Sequence, residues 1–189
     1  MQPIVSSLSE ARLREALREA LAKRSRHVIE RSDATPSAVL IPLVEWDDDV
    51  HMWLVRRPDT MRRHSGQVAF PGGKAEASDD SLKTTALREA HEEIGLHHRE
   101  VDVLGALDDL ITGTGYVITP YVAWVGASFE PVPEATEVVR AFRAPLRVFS
   151  TPASGTFPRI GHEIGGELVW GATFVIARNL ASLVGSLIT

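Results

Sequence analysis

Apolar residues in the first part of the chain follow two different periods. Three leucines at helical spacing predict a helix within an N-terminal extension of residues 1–30: Leu13, Leu17 and Leu21. The segments SAVLIPLVEW (37–46) and HMWLVRR (51–57) are instead rich in branched apolar side chains and flank the acidic turn DDD. Apolar runs bounded by turn residues are typical of buried strands. The pattern therefore predicts one helix followed by two strands.

The second half of the chain mixes strands, loops and helices without a regular alternation. Strands are predicted at 100–107, 116–126 and 138–142, and helices from Pro145 and at about 172–187. The pair Gly165-Gly166 separates GHEI from ELVW and predicts a hairpin. The mixture predicts one α/β domain over residues 1–189, with its core at about 37–187.

The clearest helix signals in the sequence predict a helix over residues 81–94. Asp79, Asp80 and Ser81 supply residues typical of a helix N-terminus, and Gly95 supplies the left-handed residue that ends a helix. At about 100° per residue, three glutamates share an arc beside the apolar stripe of the helix: Glu89, Glu92 and Glu93. The carboxylates therefore lie at the edge of the buried face.

Three like charges on one helix face have two interpretations. In the first, the face is solvated and Arg88 pairs with Glu92, four residues later. In the second, the carboxylates hold a hard cation such as Mg²⁺ or Mn²⁺, which takes oxygen ligands and pairs with phosphates. The residues in front of the helix decide between the two.

Composition excludes several classes of protein. The chain has no cysteine, which rules out disulfides, thiolate nucleophiles and cysteine-based metal sites. With 20 Lys and Arg against 25 Asp and Glu, the formal charge of -5 argues against a broad nucleic-acid-binding surface. No apolar run approaches the roughly 20 residues that span a bilayer, and no targeting signal is recognisable. A cytoplasmic location without a membrane partner is expected.

Residues 72–96 resemble the Nudix box, the signature of the Nudix hydrolases. Its second half is matched without a gap by Arg88, Glu89, Ala90, Glu92, Glu93, Gly95 and Leu96. The first half departs from the pattern. Counted back from Arg88, the acidic position falls on Asp80 and the first-glycine position on Lys74, one residue past Gly73. The sequence thus predicts one inserted residue after the double glycine.

The upstream segment WLVRRPDTMRRHSGQVAFPGG (53–73) is similar to the motif of the coenzyme A pyrophosphatase subgroup. Leu54, Arg57, Arg62, Gly66, Phe70, Pro71, Gly72 and Gly73 match, whereas Trp53, Val55 and Pro58 depart. The stretches GTGYVITP and VWGAT and the segment around Glu137 also look like that subgroup. The similarity extends over roughly residues 37–187.

The resemblance implies a Nudix-type α/β/α sandwich with a mixed β-sheet, and hydrolysis of a pyrophosphate bond with Mg²⁺ or Mn²⁺. For coenzyme A the products are 4′-phosphopantetheine and adenosine 3′,5′-bisphosphate. It implies that Glu89 and Glu93 are the principal metal ligands and Glu92 a further one. It also implies that Arg88 orients the first glutamate, and it places Glu137 in a loop where several Nudix enzymes carry a catalytic or metal-binding carboxylate. Glu89, Glu92 and Glu137 all stay open as the general base.

The substrate-binding candidates precede the glutamate helix or lie in GTGY. Arginine forks suit phosphate oxygens, although the four arginines of residues 56–63 are equally explained as a solvated surface. The glycines of the FPGG turn let backbone approach phosphates. The tyrosine of GTGY either stacks on adenine, lines a pantetheine groove or borders the core. The candidates are Arg57, Arg62, Phe70, Gly72, Gly73 and Tyr116.

Three functional hypotheses follow. The first is a metal-dependent pyrophosphatase with a small, coenzyme A-like nucleotide substrate. The second keeps the reaction but changes the substrate to ADP-ribose, NADH, a dinucleoside polyphosphate or an oxidised nucleotide. The third is a nucleotide-binding module without hydrolysis, which the retention of all three glutamates disfavours. The oligomeric state is open, with a homodimer as one option.

Overall fold

The computed structural model describes residues 9–60 and 66–188. The helices in this part are α1 (Glu10–Lys23), α2 (Leu82–Ile94) and α3 (Gly171–Leu187). The strands are β1 (Thr35–Trp46), β2 (Asp49–Arg56), β3 (Val68–Ala69), β4 (Gly72–Lys74), β5 (Val101–Ala106), β6 (Leu110–Ile111), β7 (Tyr116–Val125), β8 (Arg140–Pro145), β9 (Gly161–Ile164) and β10 (Glu167–Trp170). Short 3₁₀ turns span His98–Glu100 and Leu146–Ser150.

Strand β1 is the centre of a mixed sheet of eight strands. It pairs in parallel with β7 and antiparallel with β2 and β4. Strand β2 also pairs with β3 and β8, and β7 pairs with β5 and β6. Strands β9 and β10 form a separate hairpin around Gly165 and Gly166, both in the left-handed region that favours glycine.

Helices cover both faces of this sheet. Successive residues of β1 alternate between two apolar clusters, as the pleat of a strand requires. Ile41 and Leu43 belong to the cluster that contains the leucines of α1 and the buried side of α3. Ala38 and Leu40 belong to the cluster that contains the apolar stripe of α2. The predicted α/β/α sandwich with a mixed sheet is confirmed.

Helix α1 is tied to the edge strand β5. Its leucines lie in the main core, and its outer face carries arginines that pair with one carboxylate. Arg18 Nη2 donates to Asp102 Oδ1 at 2.7 Å, and Arg14 Nη2 lies 2.8 Å from Asp102 Oδ2. The helical extension therefore packs as part of the same layered unit. Across the ranges 9–60 and 66–188, no helix combines the length and apolarity needed to cross a membrane.

The main elements lie where the sequence predicts them, and the differences involve short pieces. The polar stretch 108–115, which separates the strands predicted at 100–107 and 116–126, contains the two-residue strand β6. Strands β3 and β4 were not predicted, and β8 occupies Arg140–Pro145 instead of 138–142. Strands of two or three residues are too short to show an alternating pattern. Pairing with long neighbours forms them, and local sequence does not encode that pairing.

Candidate active site

Helix α2 is fixed at both ends. Its N-cap residue Ser81 accepts a hydrogen bond through Oγ from the N–H of Thr84 at 3.2 Å. Gly95 ends the helix with a φ of 70°, and its N–H donates to the carbonyl of His91 at 2.9 Å. With its apolar stripe packed on the sheet, the helix presents its three glutamates from a rigid support.

Glu93 is the most deeply buried of these glutamates, with 1% of its side chain exposed. Its Oε1 accepts a hydrogen bond from Arg57 Nη2 at 2.8 Å, and its Oε2 accepts one from the N–H of Gly72 at 3.1 Å. Burial raises the pKa of Glu93 to about 7, although Arg57 and the Gly72 N–H act in the opposite direction. Helix α2 and strand β4 thus meet at this carboxylate.

Glu89 lies one turn earlier and contacts the same glycine turn. Its side chain is 14% exposed, and its Oε1 lies 3.1 Å from Arg88 Nη1. A Cβ atom at Gly73 would lie only 2.4 Å from Glu89 Oε1. A side chain at position 73 would therefore displace the Glu89 carboxylate from its observed position. Burial raises the pKa of Glu89, opposed by the charge of Arg88.

Arg88 joins the helix to the turn in front of it. Its Nε and Nη2 donate to the two carboxylate oxygens of Asp79, each at 3.1 Å, and Nη2 also donates to the carbonyl of Lys74 at 3.2 Å. Asp79 further accepts a hydrogen bond from the hydroxyl of Thr85 at 2.9 Å. The Arg88 guanidinium holds the pKa of Asp79 well below its usual range.

This pairing corrects the register predicted from the sequence. Asp79 faces Arg88, whereas Asp80 is exposed. Counted forward from Gly73, Asp79 stands in the acidic position of the motif. The extra residue therefore lies between Asp79 and Arg88, where the helix begins, and not after the double glycine. Sequence counting from Arg88 could not reveal this, because the pairing is a property of the folded turn.

Glu92 and Glu137 are more exposed than Glu89 and Glu93. The Glu92 side chain is 51% exposed, and its Oε2 accepts a hydrogen bond from Arg88 Nη1 at 2.9 Å, as the solvated interpretation expects. Glu137 is exposed in the loop between β7 and β8, and its charge raises the pKa of Glu93. That loop is attached to α2 by the N–H of Glu134, which donates to the carbonyl of Glu93 at 3.0 Å.

Glu89 and Glu93 form a pair whose chemistry suits a divalent cation. Glu93 is buried and Glu89 is half-buried, and both have raised pKa values. The charge of Glu89 raises the pKa of Glu93, so a cation between the two carboxylates relieves an electrostatic cost. In the described part of the chain, no three Asp, Glu or His side chains form a group able to hold a metal. Mg²⁺ commonly takes one or two carboxylates and completes its shell with water and substrate phosphates. The pair fits that mode, and the metal role of Glu92 stays a prediction.

A cavity of about 470 Å³ lies on the opposite side of the sheet from α2. Its walls come from both ends of the chain: Ser37 and Val39 of β1, Tyr116 and Ile118 of β7, the loop 112–114, and Trp170, Thr173 and Ile176 where α3 begins. Arg57, Gly72 and Gly73 line the edge nearest the carboxylates. The double glycine is therefore the boundary between cavity and acidic pair.

The structure gathers five of the six predicted substrate-binding residues around this cavity: Arg57, Phe70, Gly72, Gly73 and Tyr116. Arg62 lies outside the described residues. Arg57 is not a surface arginine, since its side chain is 17% exposed and bonded to Glu93. Sequence reasoning assigned Asp79 only to the helix N-terminus, and it assigned no role to Trp170 or Thr173. The similarity to the subgroup included the stretch VWGAT, which contains Trp170 and Thr173, but it did not predict that these residues line a cavity.

The sequence of the chain matches known proteins over most of its length. The family model described as NUDIX domain matches residues 34–149. The protein "Uncharacterized Nudix hydrolase NudL" of Yersinia pestis (strain Pestoides F) is 40% identical over 158 residues, covering 78% of this chain and 79% of that protein.

Solved structures show the same fold at low sequence identity. The Nudix hydrolase RenU of M. smegmatis superposes with a TM-score of 0.61 at 15% identity, covering 81% of this chain and 87% of RenU. The NUDIX domain of Shewanella oneidensis NrtR, solved with ADP-ribose, superposes with a TM-score of 0.51 at 16% identity, covering 89% and 92%.

Proposed function

The chain belongs to the Nudix family of hydrolases, and from this premise we propose that it hydrolyses the pyrophosphate bond of coenzyme A or acyl-CoA. The products are 4′-phosphopantetheine, or its acylated form, and adenosine 3′,5′-bisphosphate. One observation carries the proposal. Four residues that match the coenzyme A motif line the cavity beside the Glu89–Glu93 pair: Arg57, Phe70, Gly72 and Gly73.

In this proposal Glu89 and Glu93 hold Mg²⁺ or Mn²⁺, with Glu92 as an outer contributor. When held there, such an ion would supply positive charge to the diphosphate and would lower the pKa of a water molecule. The chain supplies the orientation. Arg57 and the Gly72 N–H hold the two oxygens of Glu93, and Arg88 holds Glu89.

The remaining contributions to the proposed reaction come from the glycine turn, from Glu137 and from Asp79. Gly72 and Gly73 carry no side chain, so backbone approaches the diphosphate from the cavity side. We assign the proton of the attacking water to Glu137, and its support is that Glu137 is exposed and that its charge raises the pKa of Glu93. The carboxylate of Asp79 fixes the position of Arg88 through a hydrogen bond.

The cavity supports a substrate with apolar or aromatic parts besides its phosphates. Tyr116 and Trp170 line it, together with Val39, Ile118 and Ile176. These walls suit an adenine ring or a pantetheine arm, each of which offers extended apolar surface. The charged groups lie at the end nearest Arg57, where the diphosphate would meet the acidic pair.

The experiment that tests the proposal is product analysis by mass after incubation with coenzyme A and Mg²⁺ or Mn²⁺, with a chelator control. We expect release of adenosine 3′,5′-bisphosphate only when metal is present. Parallel reactions contain ADP-ribose, NADH, a dinucleoside polyphosphate and an oxidised nucleotide. Faster turnover of any of these than of coenzyme A would move the assignment to that substrate. Tight nucleotide binding without turnover would indicate a binding module.

A further inference from the structure

We infer that Lys74 binds a phosphate group of the substrate and helps to determine which nucleotide the site accepts. The inference rests on the proposed function, because it concerns the same cavity. Lys74 follows the double glycine and ends strand β4. No part of the mechanism above uses its side chain.

Strand geometry directs Lys74 toward the cavity. The Cβ position of Gly73 points at Glu89, on the α2 side of the sheet. Because successive residues of a strand point to opposite faces, the side chain of Lys74 leaves β4 on the other face. There Lys74 is the pairing partner of Ser37, and both residues line the cavity.

The charges around the cavity leave Lys74 available for an anion. Among the described residues that line the cavity, Arg57 and Lys74 are the cationic ones, and none is Asp or Glu. Arg57 is already engaged, since its Nη2 donates to Glu93 and to the carbonyl of Gly72 at 2.9 Å. Lys74 is exposed, and no ion pair of its ammonium group occurs among residues 9–60 and 66–188. An anionic group that enters the cavity therefore meets the ammonium of Lys74.

The backbone of Lys74 is held firmly beside the acidic pair. Its carbonyl accepts a hydrogen bond from Arg88 Nη2 at 3.2 Å, and the next residue, Ala75, donates its N–H to the carbonyl of Pro36 at 2.9 Å. The side chain extends from this fixed point with three donors on a mobile stem, which suits phosphate oxygens. Two phosphates have this chemistry: the diphosphate itself and a further phosphate on the ribose.

The test compares Lys74→Ala and Lys74→Arg with the wild-type protein, and uses Lys83→Ala as a matched control. Lys83 is an exposed lysine of α2 that does not line the cavity. Values of kcat and KM are measured with Mg²⁺ for coenzyme A and for dephospho-coenzyme A, which lacks the ribose phosphate, at several salt concentrations. A thermal melt of each variant checks that it is folded.

For Lys74→Ala we expect a rise in KM of about tenfold with kcat within about twofold, because a charge-assisted contact to bound substrate is lost. The salt dependence of KM should weaken, since one exposed cation no longer contributes. Lys74→Arg should recover most of the KM, and Lys83→Ala should match wild type. A loss confined to coenzyme A assigns the contact to the ribose phosphate, and an equal loss on both substrates assigns it to the diphosphate.

Unchanged KM and salt dependence on both substrates would overturn the inference. Failure of the proposed function has a different signature. If wild-type protein hydrolyses ADP-ribose and not coenzyme A, the substrate assignment fails, while Lys74→Ala must still raise KM for ADP-ribose. If no substrate is turned over, calorimetric binding of adenosine 3′,5′-bisphosphate replaces kinetics, and equal affinity of wild type and Lys74→Ala overturns the inference.

Discussion

The two faces of the central sheet carry different halves of the site. On the α2 face, glutamates and an arginine of one helix are bonded to one another and to Asp79 in the turn before it. On the opposite face, the cavity has mainly apolar and small polar walls from strands, loops and the start of α3, and the cations among its described lining residues are Arg57 and Lys74. The α2 face therefore supplies charged groups, and the opposite face supplies the walls of a binding cavity.

Very little structure separates the two faces. Gly72 and Gly73 form the boundary, and Arg57 reaches across it from the cavity to Glu93. The lack of side chains at the double glycine lets the carboxylates and the cavity approach each other closely. The comparison thus predicts that changes on the α2 face should act on turnover, changes in the cavity on substrate affinity, and changes at the boundary on both.

The largest effect is expected from Glu93→Gln. The substitution keeps the size of the side chain but removes the charge of a carboxylate proposed to bind metal. Because a catalytic metal is worth several kcal/mol of transition-state stabilisation, we expect metal-dependent kcat to fall by about a thousandfold or more. Steady-state kinetics with Mg²⁺ and Mn²⁺ measure the loss, and a thermal melt should show an intact fold.

Glu92→Gln is the matched control on the same helix. Its side chain is half exposed and bonded to Arg88, so we expect a loss of about tenfold or less. Near-normal rates for Glu93→Gln, or equal losses for the two variants, would contradict the assignment of Glu93 as a principal ligand.

The pH dependence of stability gives the next largest effect. The pKa of Glu93 is raised from 4.5 to about 7 in the folded protein. Between these values the folded state keeps a proton that the unfolded state has lost, so the free energy of unfolding falls as pH rises. We expect metal-free protein to lose up to about 3 kcal/mol from this group between pH 5 and pH 8.

Denaturant unfolding in a chelator measures this loss, and Glu93→Gln should lack it. Adding Mg²⁺ or Mn²⁺ at pH 8 should restore stability to the wild type and not to the variant, because binding to the folded state alone stabilises it. If the free energy of unfolding of the two proteins changed with pH in the same way, ionisation of Glu93 would not destabilise the fold. The acidic face would then not need a cation.

The α2 face was largely predictable from sequence because its geometry is local. Helical spacing places Glu93 at the edge of the buried stripe, and the structure finds it buried there. The end of the helix at Gly95 is likewise a local signal. The register of the preceding turn was mispredicted because the pairing of Asp79 with Arg88 forms only once the turn has folded.

The cavity face was predictable only in part. The motif similarity named Arg57 and the FPGG turn, and these residues do line the cavity. It did not show that Arg57 bonds to Glu93, which lies 36 residues later. Trp170 and Thr173 reach the cavity because the β9–β10 hairpin and α3 pack on that face, and no local pattern encodes this long-range contact.

Gly73→Ala tests the boundary. A Cβ atom there would lie 2.4 Å from Glu89 Oε1, so the carboxylate must move. We expect kcat/KM to fall by about a hundredfold with both constants affected, since small displacements of reacting groups carry costs of this size. Gly126→Ala is the control, because its new Cβ meets only the Ser128 hydroxyl at 3.7 Å. Equal activity of both variants would mean that Glu89 does not need its observed position.

The smallest effect is expected in the cavity wall, from Tyr116→Ala. The ring of Tyr116 lines the cavity at the start of β7, away from the carboxylates of α2. Losing one aromatic contact to bound substrate costs about 1–3 kcal/mol. Because the contact is the same in the ground state and the transition state, we expect KM to rise about tenfold while kcat stays within twofold. Tyr116→Phe should remain close to wild type if the ring makes the contact. A fall in kcat without a change in KM would place Tyr116 with the catalytic groups, and the division of labour between the two faces would then be wrong.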